Sequence, residues 1–327
     1  MLDRRLVEQV GEDLGTSPGL VEKDWHVVRS LSVIGQLERH DMVPAFSGGT
    51  SLSKGWELIK RFSEDIDFEV AEPPRASRAA GRRARGDCRQ RLLKALASAG
   101  FTLEGAPEIG NDNRFFAADL AYAAQFGAGQ GLRPHLRIEM SFRAPALSPV
   151  ERLVAAAQRQ PPEVPAFPCI DVIETAADKL SALAWRVRVR QRGSAKDDPT
   201  IIRHLHDLAA LESTVAAAPE FRDLVRAAVG ADVGRGGEIE PPADPEVIFK
   251  LLLQRLRTDP LWARGRVRAF DCRCVSEVTP RRRYQSVRGR DQLQNRCASR
   301  AFSGIVRPPV QYCLIWSTAA SSILSIF

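Results

Sequence analysis

The chain has 327 residues, 44% hydrophobic and 27% charged, a balance that excludes a disordered chain and suits one large or two medium globular domains. Net charge is +7, yet residues 264–327 alone hold twelve arginines, no lysine and three acidic residues, a net +9. The rest of the chain sums to −2, so global charge gives little support to a nucleic-acid-binding body.

The opening MLDRRLVEQVGEDLG lacks the apolar core of a signal peptide, which predicts a cytoplasmic protein. Residues 1–40 read as helical. Leu6, Val10 and Leu14 recur every four residues, the pattern breaks over Gly15 to Gly19, and Val27, Val28, Leu31, Ile34 and Leu37 resume it. Glu22, Lys23 and Asp24 form a charged knot at the start of the second helix, which by itself reads as an exposed first turn.

Residues 46–70, FSGGTSLSKGWELIKRFSEDIDFEV, concentrate the chemistry. Gly48 and Gly49 precede Thr50 and Ser51, good N-cap residues, and Leu52, Trp56 and Ile59 mark one helix face. A glycine turn opening into a helix presents bare N–H groups to an anion such as a triphosphate. Lys54, within the first turn or so, would add a point charge. Ser63 then precedes Asp65, Asp67 and Glu69, which alternate with Ile66, Phe68 and Val70. That alternation predicts a strand with three carboxylates on one face, neighbours about 7 Å apart. Such carboxylates repel unless a cation lies between them, and Mg2+, a hard ion that takes oxygen ligands, is the natural occupant. An ordinary turn and a solvated strand edge are the competing reading.

Residues 76–99 are helix-compatible, and Arg78, Arg82, Arg83, Arg85 and Arg89 are candidates for a phosphate backbone or for a solvated face. Segments 114–122 and 135–142 read as two strands joined by a glycine-containing loop. In the second, Glu139 points away from the apolar face and would either share the cleft with Asp65 and Asp67 or pair with Arg137 on the surface. The proline-rich stretch 157–168 reads as a connector, dividing a domain at 1–160 from a helical one at 161–263.

After it, Ile173, Ala177, Leu180, Ala184 and Val187 make the buried stripe of a strong helix, while Lys179 and Arg186, seven apart, share a cationic stripe suited to triphosphate oxygens. Asp198 and Pro199 cap a further helix in which Arg203 and Asp207 are spaced as an i, i+4 pair. His204 and His206 read as packed or solvated rather than as metal ligands. Residues 211–263 look helical. From about 264 the periodicity is lost, and the segment holds Cys272, Cys274, Cys297 and Cys313. With Cys88 and Cys169 these six form neither a disulfide framework nor a zinc spacing. The tail reads as the out-of-frame translation of a G+C-rich gene. A disordered nucleic-acid-binding arm and a weak membrane anchor in the final apolar run are the alternatives, the latter marginal for spanning, so no membrane partner is expected.

GGTSLSK followed by RFSEDIDF resembles the AbiEii/AbiGii-type nucleotidyltransferase toxins, a branch of the DNA polymerase β-like superfamily. EKDW at 22–25, ETAADKLSALAWR at 174–186 and RHLHDLAAL at 203–211 extend the likeness over roughly residues 20–262. The resemblance implies an α+β fold, a mixed and mostly antiparallel sheet flanked by helices with a helical C-terminal part closing a cleft. It matches Ser63, Asp65, Asp67, Lys179 and Asp207 to active-site positions and turns Lys23 toward the cleft. Glu139 becomes the third metal ligand, helping to deprotonate the acceptor and to hold a second Mg2+. Asp207 would orient Lys179 or assist proton transfer. Implied partners are a nucleoside triphosphate, an RNA acceptor such as the 3′ end of tRNA, and the antitoxin of a two-gene toxin–antitoxin or phage-defence system. A two-metal nuclease, a nucleic-acid-binding protein and an inactive remnant are the rival readings.

Overall fold

The computed structural model describes residues 2–38, 41–59, 61–127, 133–157, 164–189, 202–233 and 244–258. Two helices lead. α1 (Arg4–Leu14) is capped by Asp3, whose carboxylate accepts from the Arg5 and Leu6 amides, and stops at Gly15 with φ +64. α2 (Pro18–Gly35) starts at Ser17, whose hydroxyl accepts from the Leu20 amide, with proline at its first position. Then follow β1 (Val43–Ser47), α3 (Gly48–Lys54), β2 (Asp65–Ala71), α4 (Arg78–Ser98), β3 (Thr102–Gly110), β4 (Phe115–Ala121), β5 (Leu136–Ser141), β6 (Val150–Val154) and β7 (Val164–Cys169). The chain continues as helices α5 (Val172–Val189), α6 (Ile202–Ala216), α7 (Phe221–Val233) and α8 (Pro245–Thr258).

The seven strands form one mixed sheet in the order β3-β4-β5-β2-β1-β7-β6. β2 with β5 and β1 with β7 run parallel, and the other four pairings are antiparallel. Alternation decides the two faces. Ile66, Phe68 and Val70 of β2 and Ile138 and Met140 of β5 face α2 and α4, where they join Val27, Val28, Leu31, Leu92 and Leu96 in one core. A second core lies among α5 to α8, with Leu52 from α3 and Ile59 from the chain after it; α3 ends at Lys54, so Trp56 and Ile59 do not continue its face as expected. The stripe expected on α5, from Ile173 to Val187, is buried there. This is the expected α+β architecture, a mixed sheet flanked by helices with a helical C-terminal part.

Three expectations are corrected. The stretch around 157–168 is not only a connector: β7 pairs in the sheet, so the sheet runs past the boundary expected at 160. Its prolines disguise it, since proline is ordinarily a mark against a strand. Arg85 is not available to a phosphate backbone. It is buried, with Nη1 donating to the Glu72 carboxylate at 2.8 Å and Nη2 to the Asp112 carbonyl at 2.9 Å. The Glu22-Lys23-Asp24 knot is buried rather than exposed. The Asp198–Pro199 cap and the tail from 264 lie outside the described residues. Among those described, no helix is long and apolar enough to cross a membrane.

Candidate active site

The parallel pairing of β2 and β5 sets Asp67 opposite Glu139, and Asp65 opposite Arg137. Partners in register project from the same face. Asp65, Asp67, Glu69 and Glu139 therefore share the sheet face turned away from α2 and α4. Among the described residues no hydrogen bond or ion pair reaches the Asp67 carboxylate. Burial, reinforced by Glu139 and Asp65, pushes its pKa up to about 7, although Lys179 pulls it down.

Its neighbours are held by arginines. Arg133 Nη1 donates to Asp65 Oδ1 at 2.7 Å. Arg137 Nε donates to Glu139 Oε1 at 2.8 Å and also holds Asp119 and Glu108. Glu69 pairs with Arg143, which also holds Asp178, but burial still pushes the Glu69 pKa up to about 7. Among the described residues no three acidic, histidine or cysteine side chains are gathered as a ready metal cage. The donor set nonetheless fits a hard divalent cation: carboxylate oxygens only, one of them unpartnered between like charges. Asp65 and Glu139 would exchange their arginines for the ion.

The turn from β1 into α3 sits against this cluster. Gly48 has φ +74, and a Cβ there would lie 2.0 Å from Asp67 Oδ2. At Gly49 it would lie 2.5 Å from Arg61 Nη2 and 3.2 Å from Ser63 Oγ. The glycines thus let a carboxylate, a guanidinium and a hydroxyl close onto bare backbone. The cap is Ser47, and Thr50 and Ser51 are buried inside the first turn, not at the N-cap as expected. Thr50 donates its hydroxyl to the Asp65 carbonyl, fixing the start of β2, and the Ser51 hydroxyl is buried without a hydrogen-bond partner among the described residues. Lys54 is the last residue of α3, not part of its first turn, and pairs with Asp24 at the end of the helix away from Asp67.

Asp207 of α6 is 0% exposed and holds two cations at once. Arg61 donates to both its oxygens, Nε at 2.8 Å and Nη2 at 2.6 Å, and Lys179 Nζ lies 2.8 Å from Oδ2. Burial alone would raise the Asp207 pKa, yet Lys179, His206 and Arg61 together hold it well below the usual carboxylate range. A buried, doubly paired carboxylate is better suited to orienting Lys179 than to moving a proton. Local spacing had paired Asp207 with Arg203. The observed partner Arg61 stands 146 residues away, and only its place in RFSEDIDF hinted at a role. Arg186, one stripe along α5 from Lys179, has Nη1 2.9 Å from His204 Nε2. Burial and the nearby Lys179 and Arg186 hold His204 well below its usual pKa, so the ring is neutral and accepts at Nε2. Glu174, which sequence reasoning passed over, accepts from the Ala146 and Leu147 amides at 2.8 and 3.0 Å and ties α5 to the chain leaving β5.

A family model described as the nucleotidyl transferase AbiEii toxin of type IV toxin–antitoxin systems matches residues 36–286. That span passes residue 264, where the composition changes. No curated protein matches the chain. Among solved structures the chain is similar to MenT4, a nucleotidyltransferase toxin from Mycobacterium tuberculosis H37Rv, at 20% identity and TM-score 0.54, over 82% of this chain and 88% of that one. At that identity the likeness is one of fold.

Proposed function

Since the chain belongs to the AbiEii nucleotidyltransferase toxin family of type IV toxin–antitoxin systems, we propose that it transfers a nucleotide from a nucleoside triphosphate to RNA, at the 3′ end of tRNA. The setting would be the cytoplasm, with phage defence as the role and a cognate antitoxin as the restraint. The observation that carries this reading is the registered carboxylate face, with Asp67 opposite Glu139 and Lys179 fixed beside them by Asp207.

Asp65, Asp67 and Glu139 would hold two Mg2+ ions. When bound, these supply charge neutralisation on the triphosphate and activation of the acceptor hydroxyl. Lys179 needs no reorganisation to meet the leaving pyrophosphate, because Asp207 already fixes its ammonium. Arg61 is held by the same carboxylate over Gly49, where a phosphate oxygen approaching the turn meets it together with Ser63 Oγ. Arg186 adds charge farther along α5. Glu139, once free of Arg137, lies on the neighbouring strand at the height of Asp67 and can take the proton of the attacking hydroxyl.

The deciding experiment incubates the protein and Mg2+ with each α-labelled triphosphate and total RNA. Label entering tRNA with release of pyrophosphate is the expected result. RNA cleavage without incorporation would establish the nuclease instead. Asp65→Asn is expected to abolish incorporation while the circular dichroism spectrum stays that of the wild type. Full activity in that variant would remove the metal-ligand role.

A further inference from the structure

The buried Glu22-Lys23-Asp24 cluster has no part in the chemistry described so far, and it lies ahead of the span matched by the family model. Each of the three side chains holds a different segment. Glu22 accepts from the Gln125 and Phe126 amides at 2.6 and 2.9 Å. Asp24 accepts from the Ala157 amide at 2.7 Å and pairs with Lys54. Lys23, 2% exposed, donates to the Glu64 carboxylate and to the Arg133 carbonyl, the latter at 2.8 Å. Glu64 also accepts from the Arg133 amide at 3.2 Å.

Both backbone polar groups of Arg133 are therefore pinned by one buried ion pair joining α2 to the residue that precedes β2. From that anchor the Arg133 side chain, 44% exposed, reaches Asp65 Oδ1. A carboxylate oxygen that takes a divalent cation cannot also keep a guanidinium, because the two positive charges repel across a few ångströms. With its backbone fixed, the displaced guanidinium can move only within its own side-chain radius, so it stays beside Asp65. A phosphate drawn to a cation held by Asp65 would come beside that guanidinium. A planar guanidinium matches phosphate oxygens two at a time.

We propose that Arg133 is a triphosphate-binding residue kept in place on Asp65 until metal arrives, and that Lys23 together with Glu64 positions it. This rests on the reading of Asp65 as a metal ligand. A simple rim ion pair would explain the Arg133–Asp65 contact, but not the burial of a lysine under the Arg133 backbone, which carries a desolvation cost that a rim contact does not require.

The test compares the full-length wild type with Arg133→Gln, titrated with Mn2+ alone and then with each of the four triphosphates in Mg2+. With the competing cation gone, Arg133→Gln is expected to bind Mn2+ severalfold more tightly. It is expected to bind the preferred triphosphate about ten- to a hundred-fold more weakly, the loss of one charge-assisted contact. Triphosphate affinity unchanged in Arg133→Gln, whatever happens to Mn2+, overturns the proposal and leaves a rim ion pair. Wild-type protein that binds neither Mn2+ nor any triphosphate overturns the metal reading as well, which separates the two failures. Lys23→Met tests the positioning role: it is expected to reproduce the weakened triphosphate binding in the folded fraction. A lowered melting temperature with wild-type triphosphate affinity would reduce Lys23 to a structural lysine. Because Arg133→Gln alters a half-exposed side chain, it keeps the proposal testable even where Lys23→Met fails to fold.

Discussion

At Asp67 the fold places a carboxylate among like charges with no hydrogen-bonding partner among the described residues, and the proton it retains is measurable. Its pKa of about 7 lies above the ordinary 3.8, so between those values the folded state holds a proton that the unfolded chain has released. The associated stability is complete below about pH 4 and is lost as pH rises through 7. Metal-free Asp67→Asn is therefore expected to exceed the wild type in stability at pH 8 by at most about 4 kcal/mol, the equivalent of three pKa units. The gap closes toward pH 4 and narrows at pH 8 when Mg2+ is added; urea denaturation across pH measures it. A gap independent of pH would assign the titration elsewhere. Asp207 behaves in the opposite sense. Asp207→Asn leaves Arg61 and Lys179 buried without their counter-charge, at a cost of about 3–5 kcal/mol by chemical denaturation. Lys179→Ala keeps the Arg61–Asp207 pair and costs less stability, but is expected to weaken triphosphate binding by about 1.5–3 kcal/mol. Unchanged affinity in Lys179→Ala would return Lys179 to the helix scaffold.

Among the elements, the β1–α3 turn has the least freedom. Gly48→Ala adds a methyl group both at φ +74 and onto Asp67 Oδ2. It is expected to abolish metal-dependent incorporation while costing only about 1–3 kcal/mol of stability. Wild-type incorporation in Gly48→Ala would show that Asp67 can leave the turn without consequence. Legibility also differs by element. β2 and β5 announce themselves because each has one buried and one charged face, and period 2 reports that directly. β3, with Gly105 and Pro107 in a stretch where the register shifts between Glu104 and Glu108, and β7, with Pro165 and Pro168, have no such pattern; backbone pairing rather than side-chain alternation makes them strands. The Glu-Lys-Asp knot misled for a related reason. Its three charges are buried only because each finds a partner 30 or more residues away, in sequence that local spacing does not reach. The Arg61–Asp207 pair was hidden in the same way, whereas the α5 stripe was fully local and fully legible.

Over the whole molecule, two cores divide the chain near residue 170, save for Leu52 and Ile59 in the second, and the carboxylate face meets Lys179, itself held by Asp207, where the sheet and helices adjoin. All residues of the proposed chemistry lie before residue 212. The composition change from 264 leads us to expect that truncation after Trp262 leaves the melting temperature and Mg2+-dependent incorporation nearly unchanged. It would also lower the isoelectric point from about 9.3 to mildly acidic as nine positive charges leave. Because the family match continues to 286, a second truncation after that residue is informative. A shorter protein that unfolds beside a longer one that does not would place 263–286 in the helical part. Loss of RNA labelling with triphosphate binding intact would make the tail an electrostatic arm for the acceptor.

The Asp207 clamp also sets a clock on synthesis. Asp65 and Asp67 leave the ribosome early, but Arg61 waits 146 residues for the carboxylate that fixes it, and Lys179 waits for the same one. At about 5–20 residues per second that interval is on the order of 7–30 s. Throughout it the nascent chain carries the proposed metal-binding strand without the carboxylate that fixes Arg61 and Lys179. If Asp207 is required as proposed, a toxin assembled in this order would stay inactive until translation has passed that carboxylate.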